Sequence, residues 1–150
     1  MIRRAKAADA PAVHALRQRA IRESTAGLYE PDAVEAWAVG SSEDDVRRKI
    51  AATTGFVAVR DGEVVGWAAL DGSVVDQLYV RPDHGGSGVA RSLYEAVEDH
   101  ARAQGLPELT AVASLRAAPV FLALGFSETA RVRRPIGGHD YEVSEVVKRL

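Results

Sequence analysis

The sequence feature that most restricts the fold is a glycine-rich segment, which lies between a β-rich run and a helical pattern. The run covers residues 74–80, the glycines lie within 85–88, and apolar residues then recur at helical spacing over 88–104. Gly105 follows where a helix C-cap glycine belongs. A second β-rich run covers 109–113, and a strand, a crossover helix and a strand predict a parallel pair with a right-handed connection.

Three β-rich runs in the middle of the chain are separated by short turn signals. The runs cover 56–59, 64–70 and 74–80, and the dipeptides between them are Asp61-Gly62 and Asp71-Gly72. Asp-Gly suits a type I′ hairpin turn, because glycine accepts the positive φ that this turn needs. The three runs therefore predict an antiparallel meander.

Three helices are predicted before the meander, after a short first strand. Asp9 is expected to cap the first helix, and apolar residues recur at helical spacing up to Ile21. A second helix is expected over 31–40, and the pair Ser42 and Asp45 resembles a capping box for a third helix through Ile50. Three arginines on the first helix are expected mostly to face outward: Arg17, Arg19 and Arg22.

The last part of the chain predicts a short helix over about 117–124 and a final hairpin through Gly137-Gly138. The 150 residues are 47% hydrophobic, which is enough for one core and leaves little room for another. We therefore expect a single domain over residues 1–150. Its fold class is α/β, an α+β mixed sheet in which an antiparallel meander joins a parallel β-α-β unit.

The composition excludes several classes of function. Nineteen Lys and Arg against 21 Asp and Glu leave a net charge of −2, so the basic excess that favours nucleic-acid binding is missing. There is no cysteine, hence no thiolate metal site or cysteine nucleophile. The longest apolar stretch is far shorter than the roughly 20 residues that span a bilayer, and no export signal is evident. We expect a cytoplasmic protein without nucleic-acid or membrane partners.

The glycine-rich loop suits an anion such as a phosphate. Backbone N–H groups without side chains approach an anion closely, and a helix start adds unsatisfied donors and a positive dipole end. Three known glycine motifs fail here at a defining position. A P-loop needs Lys and Ser or Thr after Gly88, a Rossmann loop needs glycine or alanine at Arg91, and a nucleophile elbow at Ser87 needs glycine at Val89. An ordinary glycine-rich turn remains the alternative.

Two further segments carry a resemblance to a known family. The residues before the loop read Leu78-Tyr79-Val80-Arg81-Pro82-Asp83, and Gly88 and Ala90 occupy the last two fixed positions of the loop. Downstream, the chain reads Ala113-Ser114-Leu115-Arg116-Ala117-Ala118-Pro119-Val120-Phe121, ending at Gly125-Phe126. Together these motifs resemble the GNAT N-acetyltransferase superfamily, and the order of predicted elements agrees with it along essentially the whole chain.

This resemblance implies acetyl-CoA as cosubstrate, held between splayed central strands. The loop would bind the pyrophosphate, and the strand before it would polarise the thioester carbonyl. Four positions depart from the family pattern. Gly85 stands where Gln or Arg is usual and Ser87 where a basic residue is frequent. Arg116 stands where asparagine is common, and Phe121 where a tyrosine acid is frequent. The cofactor-binding residues implied are Leu78, Val80, Gly85, Gly86, Ser87, Gly88, Val89, Ala90, Arg91, Ser114, Arg116 and Phe121.

Asp76 is the candidate catalytic residue. An alkylamine with a pKa of about 10.4 arrives as an ammonium and must lose a proton before it attacks. Asp76 alternates with Leu78 and Val80, which predicts that the three share one face of the strand, and it would act through water. The alternative is that Asp76 forms a salt bridge with a neighbour.

The expected function is N-acetyl transfer to a primary amine of a small molecule or protein, with a non-catalytic acyl-CoA sensor as the alternative. Tyr29 and Trp37 are candidates for lining the acceptor pocket, although core packing explains them equally well. Acidic residues between 30 and 45 would attract a cationic acceptor or merely form a solvated face. The four histidines lack metal-ligand spacing, so no metal is expected. The family often forms homodimers.

Overall fold

The computed structural model describes residues 1–136 and 138–150, and all seven strands belong to one sheet. The strands are β1 (Ile2–Arg4), β2 (Thr54–Arg60), β3 (Glu63–Asp71), β4 (Val74–Val80), β5 (Glu108–Ser114), β6 (Ser127–Ile136) and β7 (His139–Arg149). The α-helices are α1 (Ala10–Ser24), α2 (Pro31–Val39), α3 (Glu43–Ala52), α4 (Val89–Ala103) and α5 (Ala118–Ala123). Short 3-10 turns cover Ala7–Asp9 and Pro82–His84.

The sheet order is β1-β2-β3-β4-β5-β7-β6, and β4 and β5 are its only parallel neighbours among the described residues. This confirms the predicted α/β fold class, an antiparallel meander joined to a parallel β-α-β unit. The final hairpin is also present, with Ile136 paired to His139. Gly137, part of the predicted turn, lies outside the described residues.

The parallel pair separates soon after it forms. β4 and β5 pair only at Val74 and Thr110, where the Thr110 amide donates to the Ser73 carbonyl at 3.0 Å. Beyond that point β5 pairs on its other side with β7 along its whole length. The central strands are therefore splayed, as the resemblance implied, and a gap opens toward the C-terminal end of β4.

The two hairpin turns of the meander differ. Asp61 and Gly62 both have positive φ, 51° and 76°, as a type I′ turn requires, so that prediction is confirmed. At the second turn Asp71 is the last residue of β3, and only Gly72 has positive φ (61°). The type I′ prediction is wrong there, because the turn is centred one residue later, on Gly72 and Ser73.

Asp9 does not cap α1 with its side chain, contrary to the sequence-based expectation. Its carboxylate accepts two hydrogen bonds of 2.8 Å from the Arg3 guanidinium and one of 2.9 Å from the Lys6 amide. The Arg3 guanidinium lowers the pKa of this buried carboxyl below its usual range. Asp9 thus ties β1 to the turn before α1. The predicted capping box of α3, by contrast, is present between Ser42 and Asp45.

Helices cover both faces of the sheet. On one face, α4 and α5 pack into a core that includes Val75, Leu93 and Val97. On the other, α1 and α3 enclose Trp67, which is 1% exposed. α2 adds a smaller cluster around Val34. Among the helices of the described residues, none has the length and apolar character needed to cross a membrane.

Candidate active site

A cleft of about 900 Å³ opens where β4 and β5 separate. It extends from the loop before α4 to α5 on one side and to the end of α1 on the other. All but one of the predicted cofactor-binding residues line it: Leu78, Val80, Gly85, Gly86, Gly88, Val89, Ala90, Arg91, Ser114, Arg116 and Phe121. The exception is Ser87, whose hydroxyl donates to the His84 carbonyl and closes the loop on itself.

Unpartnered backbone amides are concentrated at the start of α4. Within the described residues, the N–H groups of residues 86–91 donate to no other group of the protein, whereas the Gly85 amide bonds the Pro82 carbonyl at 3.1 Å. Gly86 and Gly88 have φ of 73° and 83°, a left-handed conformation that side chains rarely adopt. This geometry is a cradle for an anion, strengthened by the positive end of the helix dipole.

The exposed edge of β4 supplies further backbone groups. The Arg81 amide donates to the Val65 carbonyl at 2.8 Å, and the register pairs Tyr79 with Trp67. Hydrogen-bonded residues alternate along an antiparallel strand. The N–H and C=O groups of Leu78 and Val80 therefore point away from β3, into the gap toward β5.

Two exposed arginines add positive charge to the cleft wall. Arg91 follows the amide cradle and donates to the Ala123 carbonyl at 3.3 Å, and Arg116 lies on the opposite side, in the turn after β5. Behind the loop, Arg81 donates to Asp83 at 2.8 Å and contacts His84 at 3.2 Å. The Arg81 guanidinium lowers the pKa of the Asp83 carboxyl. The arrangement suits a phosphate-bearing ligand.

Ser114 and Phe121 shape the wall formed by β5 and α5. The Ser114 hydroxyl accepts a hydrogen bond of 3.1 Å from the Ala117 amide, which fixes the entry to α5. Phe121 is 4% exposed and packs edge-on against Phe126, with ring centroids 5.1 Å apart. The wall at Phe121 is therefore apolar, and no hydroxyl stands at this position.

The two predicted acceptor residues lie in different places. Trp37 lines the cleft, together with Ile21 and Tyr79. Tyr29 instead faces a second, smaller cavity and joins distant segments, since its hydroxyl accepts from the Leu115 amide at 2.9 Å and donates to the Glu142 carbonyl at 2.8 Å. Its contacts are those of a packing residue.

Asp76 occupies a β-bulge, which changes the face it presents. The register pairs Ala69 with Gln77 but Leu70 with Val75, so Asp76 is the extra residue. Val75 consequently shares the α4 face with Leu78 and Val80, and the predicted alternation that put Asp76 on that face is wrong. The Asp76 carboxylate reaches Lys49 on α3, across the other face of the sheet, and Gln77 donates to it at 3.3 Å.

The acidic residues of α2 and α3 are largely paired with arginines on the protein surface. Glu35 binds Arg22, Arg47 binds both Glu43 and Asp44, and Arg48 binds Asp45. Because these pairs are exposed, they stabilise the fold only slightly. They match the solvated-face interpretation of these charges.

Arg17 was missed by the sequence analysis. It was expected to face outward, but it is half-buried, with its guanidinium carbon 5.7 Å from the centroid of the Tyr79 ring. The signal available in the sequence was spacing, because position 17 falls on the same helical face as Ala20, Ile21 and Ser24, which line the cleft. In the described part of the chain no three histidine, aspartate or glutamate side chains are grouped as metal ligands would be.

Comparisons with known proteins agree with this geometry. Residues 25–137 match the family model described as acetyltransferase (GNAT) domain. An uncharacterized N-acetyltransferase, YafP of Escherichia coli K12, is 29% identical over 115 residues, which cover 77% of this chain and 73% of YafP.

Two solved structures also share the fold. A GCN5-related N-acetyltransferase from Rhodopseudomonas palustris is 31% identical, with a TM-score of 0.96 covering 100% of this chain and 95% of that one. YncA of Salmonella typhimurium, a putative acetyltransferase solved with acetyl-CoA, is 23% identical, with a TM-score of 0.67 covering 99% and 92%. The cleft, the amide cradle and the family match lead to one conclusion: the chain belongs to the GNAT family of N-acetyltransferases.

Proposed function

We propose that the cleft binds acetyl-CoA and that the chain transfers the acetyl group to a primary amine. The observation that carries this proposal is the row of unpartnered amides at residues 86–91, at the end of the gap between β4 and β5. A pyrophosphate would accept hydrogen bonds from these amides, with Arg91 and Arg116 balancing charge. The acetyl-CoA bound to YncA supports the same ligand for this fold.

The edge of β4 would hold the rest of the cosubstrate. The free backbone groups of Leu78 and Val80 suit the amides of the pantetheine arm, and one of these N–H groups would polarise the thioester carbonyl. The apolar wall at Phe121 would pack against the arm. Catalysis would then come mainly from holding the two reactants together, an effect equivalent to molarities of about 10⁵ to 10⁸ M.

The acceptor would enter on the side of Trp37, Ile21 and Tyr79. Its neutral amine attacks the thioester carbonyl carbon, the C–S bond breaks and coenzyme A leaves as a thiolate. The amide nitrogen then loses its second proton to solvent or to the departing thiolate. A thiol pKa of about 8.5 makes thiolate a tolerable leaving group near neutral pH, so a tyrosine acid in place of Phe121 is not required.

The proton of the incoming ammonium needs an acceptor, and we assign Asp76 a part in its removal through water. Lys49 binds this carboxylate. Burial is the main cause that raises the pKa of the Tyr79 phenol, and the nearby Asp76 charge adds to this rise. Tyr79 in turn lines the cleft. Asp76 does not line the cleft itself, so it would take up the proton through water from its position behind Tyr79.

The experiment is to measure free thiol release from acetyl-CoA with a panel of primary amines, subtracting hydrolysis without amine. We expect amine-dependent release, with acetylated product in equal amount. Tight binding of acetyl-CoA with no release for any amine would favour a non-catalytic acyl-CoA sensor, to which the departures at Gly85 and Phe121 point. Failure to bind coenzyme A at all would refute the proposed ligand.

A further inference from the structure

Arg17 is a half-buried cation beside the acceptor side of the cleft, and its guanidinium contacts the Tyr79 ring. Its Nη1 is buried and has no hydrogen-bond partner in the described residues. The Asp76 carboxylate, on the neighbouring strand β4, is already bound by Lys49. One turn earlier on α1, the buried Nδ1 of His14 is unpartnered as well.

The position of Arg17 connects it to the cleft. Ala20, Ile21 and Ser24 line the cleft from α1. Arg17 lies on the same face of this helix, one turn nearer its N-terminus. Its guanidinium lies over the ring of Tyr79, which itself lines the cleft with Trp37. Arg17 itself does not line the cleft, so its side chain would have to turn past Tyr79 to contact a ligand there.

A buried N–H group without a hydrogen-bond acceptor is costly, and the missing acceptor at the Arg17 Nη1 calls for an explanation such as a bound ligand. We propose that Arg17 binds a carboxylate of the acceptor, so that the substrate is an amine that also carries a carboxylate, such as an amino acid. A guanidinium fork matches the two oxygens of a carboxylate. One guanidinium balances the single negative charge of a carboxylate, whereas a phosphate monoester carries about −1.5 to −2. The charge of Arg17 therefore favours a carboxylate over a phosphate.

This inference rests on the proposed function, and two measurements separate them. The first compares kcat/KM for amino acids with their carboxamides, using acetyl-CoA and a panel of side chains. The second needs no turnover: N-acetyl amino acids and N-acetyl amino acid amides are titrated by calorimetry into the protein, with and without coenzyme A. The variant is Arg17→Met, which keeps the length of the side chain and removes its charge. Arg48→Gln, on an exposed arginine of α3, is the control.

We expect the wild type to prefer the carboxylate member of at least one pair, in rate and in binding. Arg17→Met should reduce that preference by about 10- to 100-fold, which corresponds to the loss of a hydrogen bond to a charged group. Rates with carboxamides should fall less than rates with carboxylates, and coenzyme A binding should stay that of wild type. Arg17→Lys, which keeps the positive charge but lacks the two-pronged guanidinium, should retain part of the preference for carboxylates. Arg48→Gln should behave as wild type.

Stability distinguishes substrate binding from a structural role. Because Arg17→Met removes a buried N–H group that has no acceptor, the melting temperature of the ligand-free variant should equal or exceed that of wild type. A lower melting temperature with equal loss for all acceptors would overturn the inference, as would equal use and binding of both members of every pair. If no amine is acetylated but carboxylates still bind through Arg17, the inference stands and the proposed transfer reaction fails.

Discussion

Replacing Gly88 by alanine tests the assignment of the amide cradle. Gly88 has φ of 83°, and no heavy atom lies within 4 Å of the position that a Cβ would take. The substitution therefore creates no clash within the protein. We expect the added methyl group either to crowd an anion held by the neighbouring amides or to change φ and turn these amides away.

The magnitudes follow from these two effects. A non-glycine residue in the left-handed region costs about 1 to 2 kcal/mol of stability, and at this chain length the melting temperature should fall by about 2 to 8 °C. Loss of one hydrogen bond from an amide to a charged phosphate costs about 1.5 to 3 kcal/mol of binding free energy. Coenzyme A should therefore bind at least about 10-fold more weakly.

The assay is calorimetric titration of coenzyme A, with Gly105→Ala as matched control. Gly105, at the other end of α4, has φ of 72° and equally open space around its Cβ position. Gly105→Ala should lose comparable stability and bind coenzyme A as wild type does. If folded Gly88→Ala also bound coenzyme A with wild-type affinity, the cradle would not be the phosphate site.

Three further predictions concern single side chains. Asp76→Asn should lower the acetylation rate about 10²- to 10⁴-fold, with recovery at high pH. Lys49→Met, which breaks the same ion pair but keeps the carboxylate, should change the rate little. A small loss for both variants at every pH would leave Asp76 as an ion-pair partner only. Phe121→Tyr should change turnover by less than about tenfold at saturating acetyl-CoA, and an inactive wild type rescued by the hydroxyl would contradict this. Because Arg3 lowers the pKa of Asp9, the stability gained from this pair is present above pH about 4 and is lost as pH falls through the folded pKa. Denaturant titrations should find Asp9→Asn about 1.5 to 3 kcal/mol less stable than wild type at neutral pH, and the difference should shrink in acid. A difference that stays constant with pH would refute this linkage.

Much of the fold could be read from local signals. The positive φ at Gly62, the capping box between Ser42 and Asp45, and the glycines before α4 each depend on a few adjacent residues, and the structure contains all of them. The loop residues of the site were predictable for the same reason, since backbone donors at a helix start need only glycines and the helix that follows.

Tertiary structure decided the rest. The amino-acid sequence determined the strand β4, but pairing with β3 introduced the bulge that turned Asp76 toward Lys49. Periodicity placed Arg17 on α1, but only packing against β4 brought its guanidinium over Tyr79 and buried an Nη1 that has no hydrogen-bond partner in the described residues. Such outcomes depend on contacts between residues far apart in the chain, and the energy of a buried charge is set by those neighbours and not by its own position in the sequence.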